Sequence, residues 1–263
     1  MKIFQFLFGK DQSKLFFQSI TPISIRQLIW KTCIIYFSFV LILSIGMVIV
    51  SLLTPNINYE QHYGLLVYIF PAANIVALVL SIRLLFKQNI LKQQLTSLPI
   101  RTVIFHIGIL GLFLFSLSIL FSFATMIMNP ELIQTTLEEF STAEESTFPN
   151  LISVLLLAIF ITSTTGFWEE IFFRGGIYRV LRGRYTKAIS IVVSGIIFSL
   201  VHPLSILNFL YMMIFCSILS IYYEYKNNIL TIAVLHTLND LIFAGLSSLI
   251  AANIAEYILL TSR

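Results

Sequence analysis

Charge is what this 263-residue chain has least of. Only 11% of its residues are Asp, Glu, Lys or Arg, against about 25% in a soluble globular domain. That shortage excludes an ordinary water-soluble domain. Cysteine is nearly missing too: Cys33 and Cys216 lie in apolar runs, which excludes a disulfide framework and a cysteine-based metal site. Before Lys10, Asp11 and Lys14 there is no long apolar core, so no cleavable signal peptide is expected. Internal repeats and low-complexity tracts are absent as well. What remains is 58% hydrophobic, with 24 phenylalanines, the composition of a multi-span membrane protein.

Apolar runs predict spans near 28–53, 64–86, 103–128, 150–168, 188–203, 205–223 and 229–250. The expected fold is therefore an all-α polytopic membrane bundle of seven helices, or eight if 251–260 packs back. It divides into a cytoplasmic N-terminal segment (1–27), three N-terminal helices (28–128), an acidic external loop (129–149), a helical core (150–250) and a C-terminal tail (251–263).

The net charge of +4 does not imply a nucleic-acid partner, because its distribution follows the spans. Thr54 to Tyr63 holds no Lys or Arg, and Asn129 to Asn150 holds five glutamates and again no Lys or Arg. Fifteen of the sixteen basic residues fall on the other side, including Arg83, Arg101, Arg174, Arg179, Arg182, Arg184, Lys187 and Lys226. The positive-inside rule makes that side, and the N-terminus, cytoplasmic. Arg179, Arg182 and Arg184 are then expected to mark topology and meet lipid headgroups.

Three short patterns interrupt the apolar second half: Glu169-Glu170-x-x-x-Arg174, Phe198-x-x-x-His202, and His236-x-x-Asn239-Asp240. A charge at the bilayer centre costs about 2.5–3.5 kcal/mol on insertion scales, so such groups usually have a task. On a helix, Glu170 and Arg174 share a face and can pair, while Glu169, rotated by about 100°, is presented elsewhere. His202 lies one turn beyond Phe198, with Pro203 expected to end or kink the helix. His236 and Asp240 share a face; Asp240 could orient the imidazole, ligate a metal, or act with Asn239 on a substrate. Each pattern alone also fits a structural reading: an ion pair at a helix end, a packed histidine, a His–Asp pair joining helices. Together they hold two of the four histidines and, span ends aside, the acidic residues of the hydrophobic segments. Of the other histidines, His62 is expected in an outer loop and His106 in a packing role. Neither serine nor cysteine in the patterns is an obvious nucleophile, so a carboxylate with two imidazoles points to water activation, directly or through a divalent metal.

The order and flanking residues, notably Trp168-Glu169-Glu170-Ile171-Phe172-Phe173-Arg174-Gly175, resemble the CPBP family of CAAX-protease-related and bacteriocin-processing intramembrane proteases, also called the Abi family. The resemblance covers about residues 150–245. It implies that Glu169 and His202 activate water, that Glu170 and Arg174 complete the first motif, and that His236 with Asp240 polarises the scissile carbonyl. The family's last position accepts Asn or Asp. Where Asp stands, Asn239 is an alternative hydrogen-bond donor. Glu169, His202, His236 and Asp240 form a tentative ligand set for Zn2+ or another divalent metal, beside a metal-free Glu/His mechanism. The expected function is an intramembrane endopeptidase of the cell membrane, reached from the cytoplasmic side, that cuts leader-peptide-type or membrane-associated substrates. The alternative is a non-proteolytic regulatory or immunity protein that works by binding a partner. A proton-coupled carrier is a third reading, opposed by the lack of an inverted repeat.

Overall fold

The computed structural model describes residues 24–53, 59–85, 98–144, 148–202 and 205–261, and every element among them is helical. In chain order these are α1 (Ile25–Leu53), α2 (Tyr59–Leu85), α3 (Ile100–Met128), α4 (Glu131–Glu144) and α5 (Phe148–Glu170). A π-helical segment, Ile171–Tyr178, carries α5 onward into the short α6 (Arg179–Arg182). Then come α7 (Lys187–Leu200), α8 (Ile206–Lys226) and α9 (Ile229–Leu238). A second π-helical segment, Asn239–Phe243, leads into α10 (Ala244–Thr261).

Among the described residues, three stretches are long and apolar enough to cross a membrane: Arg26–Gly46, Ile100–Met128 and Ile206–Lys226. The pair Ile229–Ile242 and Leu246–Ile258, bent by 46°, makes a fourth if taken as one span. The bend falls at the second π segment, where the backbone ladder changes register. With 14 residues, α7 extends only about 21 Å, short of the ~30 Å hydrocarbon core.

Among the described residues the outer surface is strongly apolar, and polar groups are held inside beside the apolar core. Trp30, Phe37, Leu52, Phe105 and Leu112 are exposed, whereas Asn74, Ser118, Glu170, Arg174 and Ser194 are buried. Such a surface suits lipid, and each of these five buried residues has a hydrogen-bond partner. The first π segment lies at the centre: all eight of its residues are buried, within a cluster that includes Phe198, Phe215, Tyr223 and Leu235. Around it α5 packs on α2 and α9, α7 on α8, and α10 on α3.

Helix–helix approach is closest where small residues permit it. A Cβ on Gly166 of α5 would stand 2.7 Å from Thr237 Oγ1 and 3.0 Å from the Thr237 amide nitrogen of α9. Gly195 plays a lesser part between α7 and α8, where a Cβ would meet Met213 O at 3.4 Å. Gly166→Ala therefore has to push α5 and α9 apart. We expect a loss of about 1–3 kcal/mol, the usual cost of overpacking, read as a lower unfolding midpoint in detergent.

The turn from α8 to α9 is two residues long. Asn227 caps α8 in the left-handed region at φ 49°, ψ 39°, a conformation asparagine tolerates. The side chain of Asn228 accepts the Thr231 amide at 2.7 Å and caps α9.

Several expectations change. The stretch 129–149, read as a loop from its glutamates, contains α4, whose Ile133 and Leu137 pack on Met126 and the small face Ala251, Ala252 and Ala255 of α10. Residues 251–261 continue α10 and are no tail. His62 falls within α2, not in a loop. Of the segment 1–27, residues 1–23 lie outside the described residues, and α1 already starts at Ile25. Pro203 also lies outside them; α7 ends at Leu200, so His202 sits beyond its helix.

Candidate active site

The site forms where the end of α5 meets the end of α9. Glu170 is fully buried and accepts two donors on one oxygen: Arg174 Nη1 at 2.6 Å and His236 Nδ1 at 2.7 Å. The i,i+4 pairing of Glu170 and Arg174 read from the sequence is thus present, although Arg174 lies on the π segment. The second guanidinium arm donates to the Cys216 carbonyl at 3.3 Å. The guanidinium carbon lies 5.0 Å from the Phe198 ring centroid, within cation–π range.

A carboxylate oxygen can only accept, so His236 Nδ1 carries the proton of its bond to Glu170. Nε2 is left facing the working space, with Glu169 Oε2 and Asp240 Oδ2 each 3.6 Å away. Glu169 is turned from Arg174 as its rotation on the helix requires, and its side chain keeps 13% exposure. The imidazole orienter is Glu170, not Asp240 as the i,i+4 spacing alone suggested: Asp240 stands at 3.6 Å while Glu170 is in hydrogen-bond contact.

Asn239 is held from both ends. Tyr211 Oη donates to Asn239 Oδ1 at 2.6 Å, and Asn239 Nδ2 donates to Asp240 Oδ1 at 3.3 Å. Only a donor can face the acceptor-only carboxylate, which fixes the direction of the amide. A continuous polar line therefore runs Tyr211, Asn239, Asp240, His236, Glu170, Arg174.

His202 stands close by. Phe198 contacts it at 4.5 Å between centroids and contacts His236 at 5.8 Å, so one buried ring packs against both imidazoles. His202 Nδ1 pairs with the Phe198 carbonyl oxygen at 2.8 Å. That nitrogen must be the donor, which leaves Nε2 as the acceptor.

Sequence reasoning missed several supporting residues. Asn74 of α2 receives the Trp168 indole N–H at 2.9 Å and donates to Thr165 Oγ1 at 2.7 Å, locking the turn before the glutamate pair. A lone buried asparagine in an apolar run was its signal. Tyr211 gave none beyond being aromatic among many. His106 bonds Tyr222 Oη at 2.8 Å, away from the site, as its packing role implied.

Arg179 and Arg182 are buried, so they do not spread onto headgroups. Arg182 Nε meets both oxygens of Glu224, at 3.0 and 3.1 Å, and Tyr178 donates to the same carboxylate at 2.7 Å. Of the three arginines only Arg184 is exposed.

For a metal, the donor chemistry is suitable but the arrangement does not fit. Among the described residues no three His, Cys, Asp or Glu side chains come together as an ion's ligands would. His236 Nδ1 is taken by Glu170.

Residues 151–242 match the family model described as type II CAAX prenyl endopeptidase Rce1-like. The match spans all three motifs and bears out the CPBP resemblance. No curated protein and no solved structure matches the chain.

Proposed function

We propose that this protein is an intramembrane endopeptidase that hydrolyses a peptide bond with water activated by Glu169 and His202. The observation that carries the reading is the division of labour between adjacent carboxylates. Glu170 is neutralised by Arg174 and spent on orienting His236, whereas Glu169, without an arginine and partly exposed, is left to handle a proton.

In the proposed reaction, water is held between Glu169 and His202 Nε2. Glu169 takes one proton as the water oxygen bonds to the scissile carbonyl carbon. The oxyanion that forms accepts from the Asn239 amide, fixed in advance by Tyr211, and from His236 Nε2–H. His236 acts as an imidazolium, protonated on both nitrogens among Glu170, Glu169 and Asp240. The carbon–nitrogen bond then breaks, and the proton on Glu169 passes to the departing amine. One peptide bond and one water become a carboxyl and an amine. Asp240 serves as an anion that positions the Asn239 amide, a task suited to Asp at this position.

The family match supports a hydrolase of this class embedded in a membrane. A cell-membrane, multi-pass chain with a cytoplasmic N-terminus, crossing about seven times, follows from the basic residues and the spans read from the sequence. Substrates of the leader-peptide or membrane-associated type suit a site set among membrane helices. The test is a quenched peptide library incubated with purified protein in detergent. Cleavage that persists in EDTA and is not raised by added zinc is the expected result; loss of cleavage on chelation, restored by zinc, would replace the metal-free route. A library left intact by a well-folded sample would favour a partner that acts by binding.

A further inference from the structure

Beside Asp240 lies a cavity of about 380 Å³ that shares Tyr211, Asn239 and Asp240 with the site. Its walls come from α3 (Ser118, Ser122), α4 (Thr136), the start of α8 (Ser205, Tyr211), the second π segment and α10. Asn239 and Asp240 form its inner end, so it reaches the site directly.

Its position along the bundle can be read from contacts between α3 and α8. These helices run antiparallel: His106, early in α3, bonds Tyr222, late in α8, while Phe121 stacks with Tyr211 at the other end, 5.5 Å between centroids. The basic residues gather at the His106–Tyr222 end. Arg101 begins α3, Lys226 ends α8, and Arg182 and Lys187 both reach Glu224, at 3.0 and 4.0 Å. The cavity lies at the Phe121–Tyr211 end, bounded by the last turns of α3 and the first turns of α8.

Its lining is mixed: seven hydroxyl and two carboxamide side chains alternate with Phe121, Met126, Leu132, Leu207 and Met212. Asp240 is the sole charged side chain among the described lining residues, and none is basic. The same helix that supplies Thr136 carries exposed Glu131 and Glu138. A hydroxyl-rich wall suits main-chain amides and small polar side chains. The negative potential favours cations and penalises an acidic group.

We propose that this cavity is the substrate entrance, that it opens at the end of the bundle opposite the basic residues, and that it receives a peptide segment with neutral or basic side chains. The peptide part rests on the hydrolase reading above; the side of entry and the charge preference rest on the cavity itself. This reverses the expectation of access from the basic, cytoplasmic side.

The experiment places single cysteines, Thr136→Cys or Ser122→Cys, in a Cys33→Ser background in which only buried Cys216 remains. Arg184→Cys marks the basic end. Sealed vesicles of known orientation are treated with two membrane-impermeant methanethiosulfonates, one bearing trimethylammonium and one bearing sulfonate. We expect Thr136→Cys and Ser122→Cys to react from the face opposite Arg184→Cys. The cationic reagent should be favoured by at least ~10-fold over its ratio on a free thiol, since local potential raises the concentration of counter-ions. Modified Thr136→Cys should lose cleavage of the library that the unmodified protein performs. Labelling from the same face as Arg184→Cys, no labelling, equal rates, or undiminished cleavage after modification would each overturn the entrance. A library cut by neither form would sink the hydrolase reading, while face and charge preference still decide the entrance.

Discussion

Glu169→Gln is expected to lower peptide hydrolysis by about 10²–10⁴-fold while leaving the fold intact. Glutamine keeps the shape and the surroundings, including Trp168 held by Asn74, but it neither takes nor returns a proton, and general acid–base action is worth about that factor. The fold should tolerate the change because Glu169 has no arginine partner; its nearest charged neighbour, His236 Nε2, is 3.6 Å away. The measurement is turnover of library-derived peptides by wild type and variant at matched unfolding midpoints. Equal turnover would remove Glu169 from the chemistry. A collapsed midpoint would show instead that Glu169 is structural.

Arg174→Ala should do the reverse and strike the fold first. It leaves Glu170 fully buried with only His236 as a partner, and breaking a buried pair from one side costs about 3–5 kcal/mol. The unfolding midpoint in detergent should fall by on the order of 10 °C for a chain of this size. Activity should fall with it, because Glu170 no longer holds the ring of His236. Arg174→Lys should not restore either property: a lysine ammonium has no second arm for the Cys216 carbonyl and no planar group to lie on Phe198. A midpoint unchanged in Arg174→Ala would mean that Glu170 is not charged in the folded protein. Together the two variants separate the carboxylate that reacts from the one that holds the reacting group.

The candidate site was legible because charge in an apolar chain stands out. Glu169, Glu170, Arg174, His236 and Asp240 meet around one imidazole, and the i,i+4 spacings read from the sequence survive even where the helix widens to π. The choice of Glu170 over Asp240 as orienter was not legible. It depends on how closely α5 and α9 approach, which rests on Gly166, a residue with no charge to attract notice. Spacing along one helix says which groups share a face; it does not say which face another helix will present. The same limit explains Arg182, whose partner Glu224 lies 42 residues away.

The fold was legible as a helical membrane bundle, and less so at its polar edges. Composition marked 129–149 as a loop because five glutamates and no basic residue fall there. Periodicity would have served better: Ile133 and Leu137, one turn apart, make the stripe by which α4 docks. Length gave α7 as a span, whereas its helix stops at Leu200 and leaves His202 on a non-helical turn.

The two-asparagine turn between α8 and α9 has a consequence for how this chain can vary. Tyr211 of α8 must meet Asn239 just past α9, and the connection between the helices allows no slack. One residue added between Asn227 and Asn228 would part the two caps that join α8 to α9, shifting His236 against Glu170 and Asn239 against Tyr211 at once. Every residue of the site would still be present, in the right order and at the right spacing within its own motif. The length of that turn is therefore as much a part of the candidate site as any side chain, although a search for the three motifs alone would never register its loss.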